Sequence, residues 1–224
     1  MIVLVFMKKS ILRIFDLIKE GELKFLINGI SKRILSKNQA FGLKRNLDIE
    51  FQIPNAKIDI DIRYFKHADN QFFSEDLQNY GLIEKDIPVC YVATLEDNKP
   101  CFRQWLIGSE YKGKIQEFWG QSFPVLKDDE MLLEGGFTIS SMRGHGIMPA
   151  AITRIIEKEK RPDRKWIITF VGINNIPSLK GIHRSGFKPY VLRTEQWFLF
   201  KRSITFKDVP KDFITTYLKN IGDF

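Results

Sequence analysis

From Ile58 to Phe65 apolar and polar residues alternate, the two-residue period of a half-buried strand. Further along the apolar runs become continuous. Val89–Leu95 and Cys101–Ile107 flank Asp97-Asn98, a two-residue turn signal, and read as a hairpin that pairs Thr94 with Cys101 and Cys90 with Trp105. Met131–Ile139 and Trp166–Val171 read as buried strands. Between them Ile147, Ala151, Ile152, Ile155 and Ile156 recur near helical period, which predicts a helix over Pro149–Glu159. A second, shorter helix follows Val171 and closes at Ser185-Gly186-Phe187. Tyr190–Arg193 and Gln196–Lys201 read as closing strands, and Phe206–Phe224 as a helical tail. His67–Gly81 carries Phe72, Phe73, Leu77 and Tyr80 near helical spacing, whereas Ser109–Asp129 reads as a long connection holding Tyr111, Phe118, Trp119 and Phe123. Strands alternating with helices predict an α/β fold.

The N-terminal pattern is of another kind. Ile11, Phe15 and Ile18, then Phe25, Leu26, Ile30 and Ile34, repeat near helical period among lysines and arginines, with a break at Glu20-Gly21. Two short amphipathic helices are expected. The division that follows is a basic extension over 1–46, a linker over 47–57, an α/β domain over 58–206 and a tail over 207–224. Charge sharpens this picture, because residues through Asn46 hold +7 of the chain's +8. Such a segment can lie on an anionic membrane surface, the contact then running through residues 8–45, or dock its apolar stripe on a protein surface. Nucleic acid is not the expected partner, since interleaved aromatics are lacking.

Charges recur too often in this segment for a membrane span. The apolar run before Lys8-Lys9 has the wrong order for a secretory signal. The expected location is cytoplasmic, with peripheral contact at the inner face of the membrane as the membrane reading's consequence. The hairpin keeps Cys90 and Cys101 apart, in keeping with a reducing compartment. His67, His145 and His183 have no ligand spacing, so no metal is expected.

Two joints in the α/β region carry polar residues at fixed places. At the first, Arg143-Gly144-His145-Gly146-Ile147 leads from a strand into a helix. The unpaired N–H groups and dipole of that helix start attract an anion, and Gly144 and Gly146 let it approach the backbone. At the second joint, Asn174, Asn175, Pro177 and Ser178 open the shorter helix.

Together the joints resemble the Gcn5-related N-acetyltransferase (GNAT) superfamily. Its loop motif, Arg/Gln-x-x-Gly-x-Gly/Ala, falls on Arg143, Gly146 and Met148. Its later motif, Asn-x-x-Ala/Ser leading to Gly-Phe, falls on Asn175, Ser178, Gly186 and Phe187. The resemblance implies a mixed central sheet splayed at an acetyl-CoA site. It also implies direct acetyl transfer to an amine acceptor, with Ile139, Arg143, Gly144, His145, Gly146, Ile147, Met148, Asn175 and Ser178 at the cofactor. Two positions depart from the pattern: Met148 replaces a small residue, and Ile182 stands where many members carry a tyrosine that protonates the leaving thiolate.

Acetyl transfer needs a general base and a donor for the thioester oxygen. Glu134 and Glu130 share strand parity, and Glu134 lies in apolar sequence that would raise its pKa; both are candidate bases. Gly135-Gly136 can bend the strand or form a bulge that opens the sheet. Tyr190 and His183 are the candidate acids in place of the missing tyrosine. The acceptor reading is an amino sugar of a surface glycan, nucleotide- or lipid-linked, with a protein lysine or small amine as the rival. A fold that binds CoA or a partner without turnover is the alternative of another class, and Ile182 and Met148 argue for it.

Overall fold

The computed structural model describes residues 30–222. The chain divides into two compact units, Ala40–Arg193 with Phe206–Phe224, and residues through Gln39 with Thr194–Thr205; each is described by itself.

The strands are β1 (Leu35–Asn46), β2 (Asp61–Tyr64), β3 (Cys90–Thr94), β4 (Pro100–Gly108), β5 (Glu130–Thr138), β6 (Trp166–Gly172), β7 (Lys188–Phe198) and β8 (Lys201–Lys207). Their order in the sheet is β2-β3-β4-β5-β6-β1-β7-β8. Neighbouring strands from β2 to β5 are antiparallel, and β6 runs parallel to β5. A parallel pair needs a crossover, which helix α3 (Ile147–Glu159) supplies. The remaining helices of the larger unit are α1 (Tyr80–Glu84), α2 (Lys112–Trp119), α4 (Ile176–Arg184) and α5 (Lys211–Ile221).

Successive strand residues face opposite sides, so one apolar run feeds two cores. Met131, Leu133 and Ile167 pack with Ala151, Ile152 and Ile155 of α3, and with Tyr217 of α5. Leu132, Ile168, Phe170 and Trp105 pack on the other face beneath Leu82 of α1 and Ile115 of α2. α3 is the most apolar helix because eight of its thirteen residues are buried.

Several expectations are corrected. Residues 35–46 are not part of a helical extension but the strand β1, whose Ala40–Asn46 pair antiparallel with Gly172–Trp166. Phe41, Leu43 and Arg45 are buried on one side of it, and a Cβ on Gly42 would fall 2.4 Å from Val191, so this backbone is built to lie close against its neighbour. The larger unit therefore begins at Ala40, within β1, and not at residue 58. Lipid contact over the whole of 8–45 is excluded for the buried Ala40–Leu43 stretch. The expected helices over 11–29 lie outside the described residues.

Ser109–Asp129 is not a bare connection. It holds α2 between two 3-10 turns, Ser109–Tyr111 and Gly120–Ser122. Ile115, Phe118 and Trp119 have helical spacing and pack on the second core, which selects the helix. His67–Gly81 is a 3-10 helix over His67–Phe73 followed by the start of α1. The strand expected over Ile58–Phe65 is limited to β2. In the hairpin Cys90 does face Trp105, but a bulge at Ala93/Thr94 places Thr94 opposite Pro100 and not Cys101. The Cys101 thiol donates to the Ala93 carbonyl instead.

In the smaller unit residues 30–34 are helical and lead into Leu35–Gln39 of β1. The expected strands 190–193 and 196–201 are one strand, β7, and the chain turns at Leu199-Phe200 before β8. No glycine, proline or asparagine marks that turn, so the pattern gave no boundary there.

Candidate functional site

β5 and β6 pair at only three places, Glu130↔Trp166, Met131↔Ile167 and Leu132↔Ile168. Beyond Ile168, β6 keeps its antiparallel partner β1 as far as Gly172, while β5 turns away. The cause lies in the sequence. Against β4, Arg103 faces Phe137 and Trp105 faces Glu134, so Gln104 stands opposite two residues, Gly135 and Gly136. This is a β-bulge, which bends its strand and adds twist. Gly135 sits at φ +70°, and a Cβ there would be 2.6 Å from the Trp105 ring, so a side chain is excluded by conformation and by space.

Side chains replace the strand partner that the bulge removes. Gln104 Nε2 donates to the Glu134 carbonyl at 2.6 Å, and Asn79 Nδ2 donates to the Gly135 carbonyl at 3.4 Å. Asn79 is itself held by Asp76, which forms a buried ion pair with Arg103 at 2.7 Å. The Arg103 guanidinium lies against Phe73 and Trp105. A chain of four polar side chains thus fixes the bulge.

The opening between β5 and β6 is a cleft of about 170 Å³ lined by Glu134, Gly135, Gly136, Thr169–Gly172, Asn175 and Ser178. Its lining comes from both faces of the sheet. Leu133, Met148 and Ile182 lie on the α3 and α4 side, and Gln78, Asn79 and Phe170 on the α1 side.

Glu134 is half-buried in this lining, and desolvation pushes its carboxyl up to about 7 against the smaller opposing effect of Arg193. Arg193 lies between Phe123 and Phe170 and donates to the Ser122 carbonyl. Glu130 is placed elsewhere. It is buried at the other end of β5, where its carboxylate accepts from the Lys127 N–H and closes the turn before the strand.

At the helix joint, Gly144 and Gly146 both take left-handed φ, +80° and +72°, and Gly146 is the N-cap of α3. The Asn55 carbonyl and the Arg184 guanidinium approach Gly146 at 3.2 and 3.9 Å from where a Cβ would sit. No capping side chain occupies the helix start, and Arg184 adds charge beside its N–H groups, which fits a phosphate group. His145 turns its Nδ1 toward the Met142 carbonyl, while its own carbonyl accepts from Lys57. Arg143 is exposed and donates to the Thr138 carbonyl. Ile147 is buried in the α3 core, and Met148 fits against Gly181, which makes room for its sulfur. The Ile139 N–H is engaged by the Cys101 carbonyl.

Asn175 caps α4 by accepting from the Ser178 N–H at 3.3 Å, and both residues line the cleft. Ile182 is buried there, 3% exposed. Neither Tyr190 nor His183 joins it. Both line a separate apolar cavity of about 830 Å³ with Phe51 and Trp166. His183 Nδ1 meets the Tyr217 hydroxyl at 3.2 Å, and burial together with the Glu130 charge pushes the Tyr190 hydroxyl up. Among the described residues no group of three or more His, Cys, Asp or Glu side chains gathers as a metal site, and no helix is long and apolar enough to cross a membrane.

Sequence reasoning did not single out Gln104, Asn79, Thr169 or Arg193. Gln104 and Asn79 are distant in sequence from the bulge they bind. Thr169 belongs to a strand read only as core.

No family model and no curated protein matches this chain. Solved structures do. A GCN5-related N-acetyltransferase from Sphaerobacter thermophilus aligns over 77% of this chain and 56% of its own, with 11% identity and TM-score 0.51. The GCN5-related glucosamine N-acetyltransferase region of a fungal multi-domain beta-N-acetylglucosaminidase aligns over 79% and 22%, with 12% identity and TM-score 0.51. A Drosophila protein aligns over 81% and 58%, with 11% identity and TM-score 0.52. The chain therefore spans less than two thirds of each of these structures. The splayed mixed sheet, its parallel β5–β6 pair and the glycine joint before α3 give this chain the fold of the Gcn5-related N-acetyltransferase superfamily.

Proposed function

We propose that the chain transfers acetyl from acetyl-CoA to an amine. The observation that carries this reading is the cleft between β5 and β6, lined from both faces of the sheet, where a thioester and an amine can meet at the bulge. Acetyl-CoA, when bound, supplies an activated acetyl thioester. On the α3 and α4 side the Gly144–Ile147 backbone and Arg184 bind its pyrophosphate, and the parted edges of β5 and β6 receive its pantetheine arm. Asn175 and Ser178 flank that arm. The backbone N–H groups at the bulge hold the thioester oxygen, a contact that can be worth about 3–4 kcal/mol. From the other face Glu134 takes the proton of the attacking amine. A carboxyl near pKa 7 is matched to this task at neutral pH.

The thiolate leaves without a protein acid. Ile182 has no proton to give, and Tyr190 and His183 belong to the other cavity. A thiol of pKa about 8.5 is a tolerable leaving group without one.

The acceptor we assign is an amino sugar, the acceptor class named for the fungal region of like fold. Gln78 brings a neutral amide to the acceptor side, and Phe170 brings an aromatic face. That combination suits ring hydroxyls and the apolar face of a sugar. A CoA-binding module without turnover is the second reading, favoured by Ile182 alone.

The two readings separate in one experiment. Excess acetyl-CoA at a hundredfold over Kd should stabilise the chain by about 2.7 kcal/mol, or about 5–11 °C. Release of free thiol is then followed with glucosamine and with a lysine peptide. Thiol release faster with glucosamine supports the proposal; release favouring the peptide overturns the acceptor. A thermal shift with no release for any amine overturns the enzyme reading in favour of the module.

A further inference from the structure

In the smaller unit, β7 ends at Phe198 and β8 begins at Lys201, so the hairpin turns on two residues alone, Leu199 and Phe200. Both have positive φ, +45° and +65°. Two-residue turns of this kind demand left-handed backbone at both positions, and asparagine followed by glycine is the sequence that meets the demand. A leucine and a phenylalanine there are strained, since bulky side chains avoid that region. The strain is not offset by burial. Phe198, Leu199 and Phe200 are 58, 61 and 58% exposed.

The turn does not stand alone. Leu199 and Phe200 donate their N–H groups to the Ile34 and Arg33 carbonyls at 2.9 and 2.8 Å, which fixes the turn against the helical residues 30–34. There Ile30, Ile34 and Leu35 are exposed as well. The same two segments carry the exposed basic residues Lys32, Arg33, Lys37, Lys201 and Arg202. The one acidic residue among the described residues of this unit, Glu195, already pairs with Arg202 at 2.7 Å. Trp197 adds an amphipathic ring beneath Arg33.

We infer that the Phe198–Phe200 turn, with Ile30, Ile34 and Leu35, is a membrane-surface anchor that inserts among the lipids of an anionic bilayer. An exposed apolar tip with exposed lysine and arginine in the same segments matches the boundary between acyl chains and negative headgroups. A protein partner with an acidic rim or a second copy of the chain would meet the same surface, but a strained, protruding tip favours a fluid that closes around it over a fitted pocket. The site is independent of the acetyl-transfer reading.

The test is Leu199→Asn combined with Phe200→Gly, the pair that the turn geometry prefers. Co-sedimentation of the full chain is measured with phosphatidylcholine vesicles, alone and with one third phosphatidylserine. The wild type should bind the anionic vesicles, prefer them to the neutral ones and weaken in salt. The double variant should lose at least tenfold in vesicle affinity while its Tm stays level or rises. A purely structural turn would change Tm and leave lipid binding alone. Unchanged binding by the variant would assign lipid contact to other residues of the basic N-terminus and overturn the inference. Absence of wild-type binding overturns it too. So does a wild-type dimer in sedimentation velocity that the variant dissolves, because the tip is then a contact between copies.

Discussion

Glu134 occupies a position where protonation state and stability are tied together. As a base it must be ionised, so the rate should rise with pH through about 7 and level off above. Glu134→Gln should lower kcat/KM by about 10²–10⁴-fold and remove that acid limb, with acetyl-CoA affinity retained. The same carboxyl makes a prediction about folding. Its pKa is raised from 4.5 in the unfolded chain to about 7, so between those values the native state binds more protons than the unfolded state. Stability from this group is therefore full below 4.5 and is lost as pH rises through 7. Glu134→Gln should accordingly raise Tm at pH 8, and the gain should vanish near pH 4, a difference that thermal melts at the two pH values would read. The sequence reading set this residue in apolar sequence, beside Leu132 and Leu133, and desolvation does raise its carboxyl. It could not tell Glu134 from Glu130, which has the same parity. In the structure one carboxylate lines the cleft and the other closes a turn, which is why we assign the base to Glu134.

At the scale of elements the bulge in β5 is the part on which the site depends. Gly135-Gly136 announced it, but not the side chains that hold it. Asn79 and Gln104 bind the two bulge carbonyls, and Asp76 with Arg103 holds Asn79 in turn. Asn79→Ala should slow turnover by about tenfold, the equivalent of one hydrogen bond of about 1.4 kcal/mol. Acetyl-CoA affinity should change little, because Asn79 stands on the α1 side and the phosphate joint is remote from it. Steady-state kcat and a binding isotherm would show the split; equal losses in both would mean that the bulge supports the whole cleft instead of orienting one carbonyl. The helix joints were more legible. Glycines at positive φ and an asparagine cap are local devices, written within three or four residues, and Gly144, Gly146, Asn175 and Ser178 stand in the structure where their local chemistry puts them.

For the whole molecule the decisive element is β1. It lies between β6 and β7 and buries Phe41 and Leu43 at 1% and 0% exposure. Deleting residues through Asn46 should therefore abolish cooperative unfolding, measured by circular dichroism in denaturant, because two strands lose their shared partner. A basic extension dispensable for folding would leave the transition in place. Sequence alone settled what depends on near neighbours: the order of the strands β3 to β6 with α3 and α4, the buried strands of the parallel pair, the glycine turn and the α4 cap. These follow from side-chain period, backbone freedom and capping, which act within a few residues. Tertiary structure decided what depends on distant ones. It placed β1 inside the sheet between β6 and β7, tied Asn79 and Gln104 to the bulge and sent Tyr190 and His183 to another cavity. It also turned the chain at Leu199-Phe200 where no turn residue stands. Each was settled by packing against partners far away in sequence, whose burial and hydrogen bonds outweigh the weak preferences of a short segment.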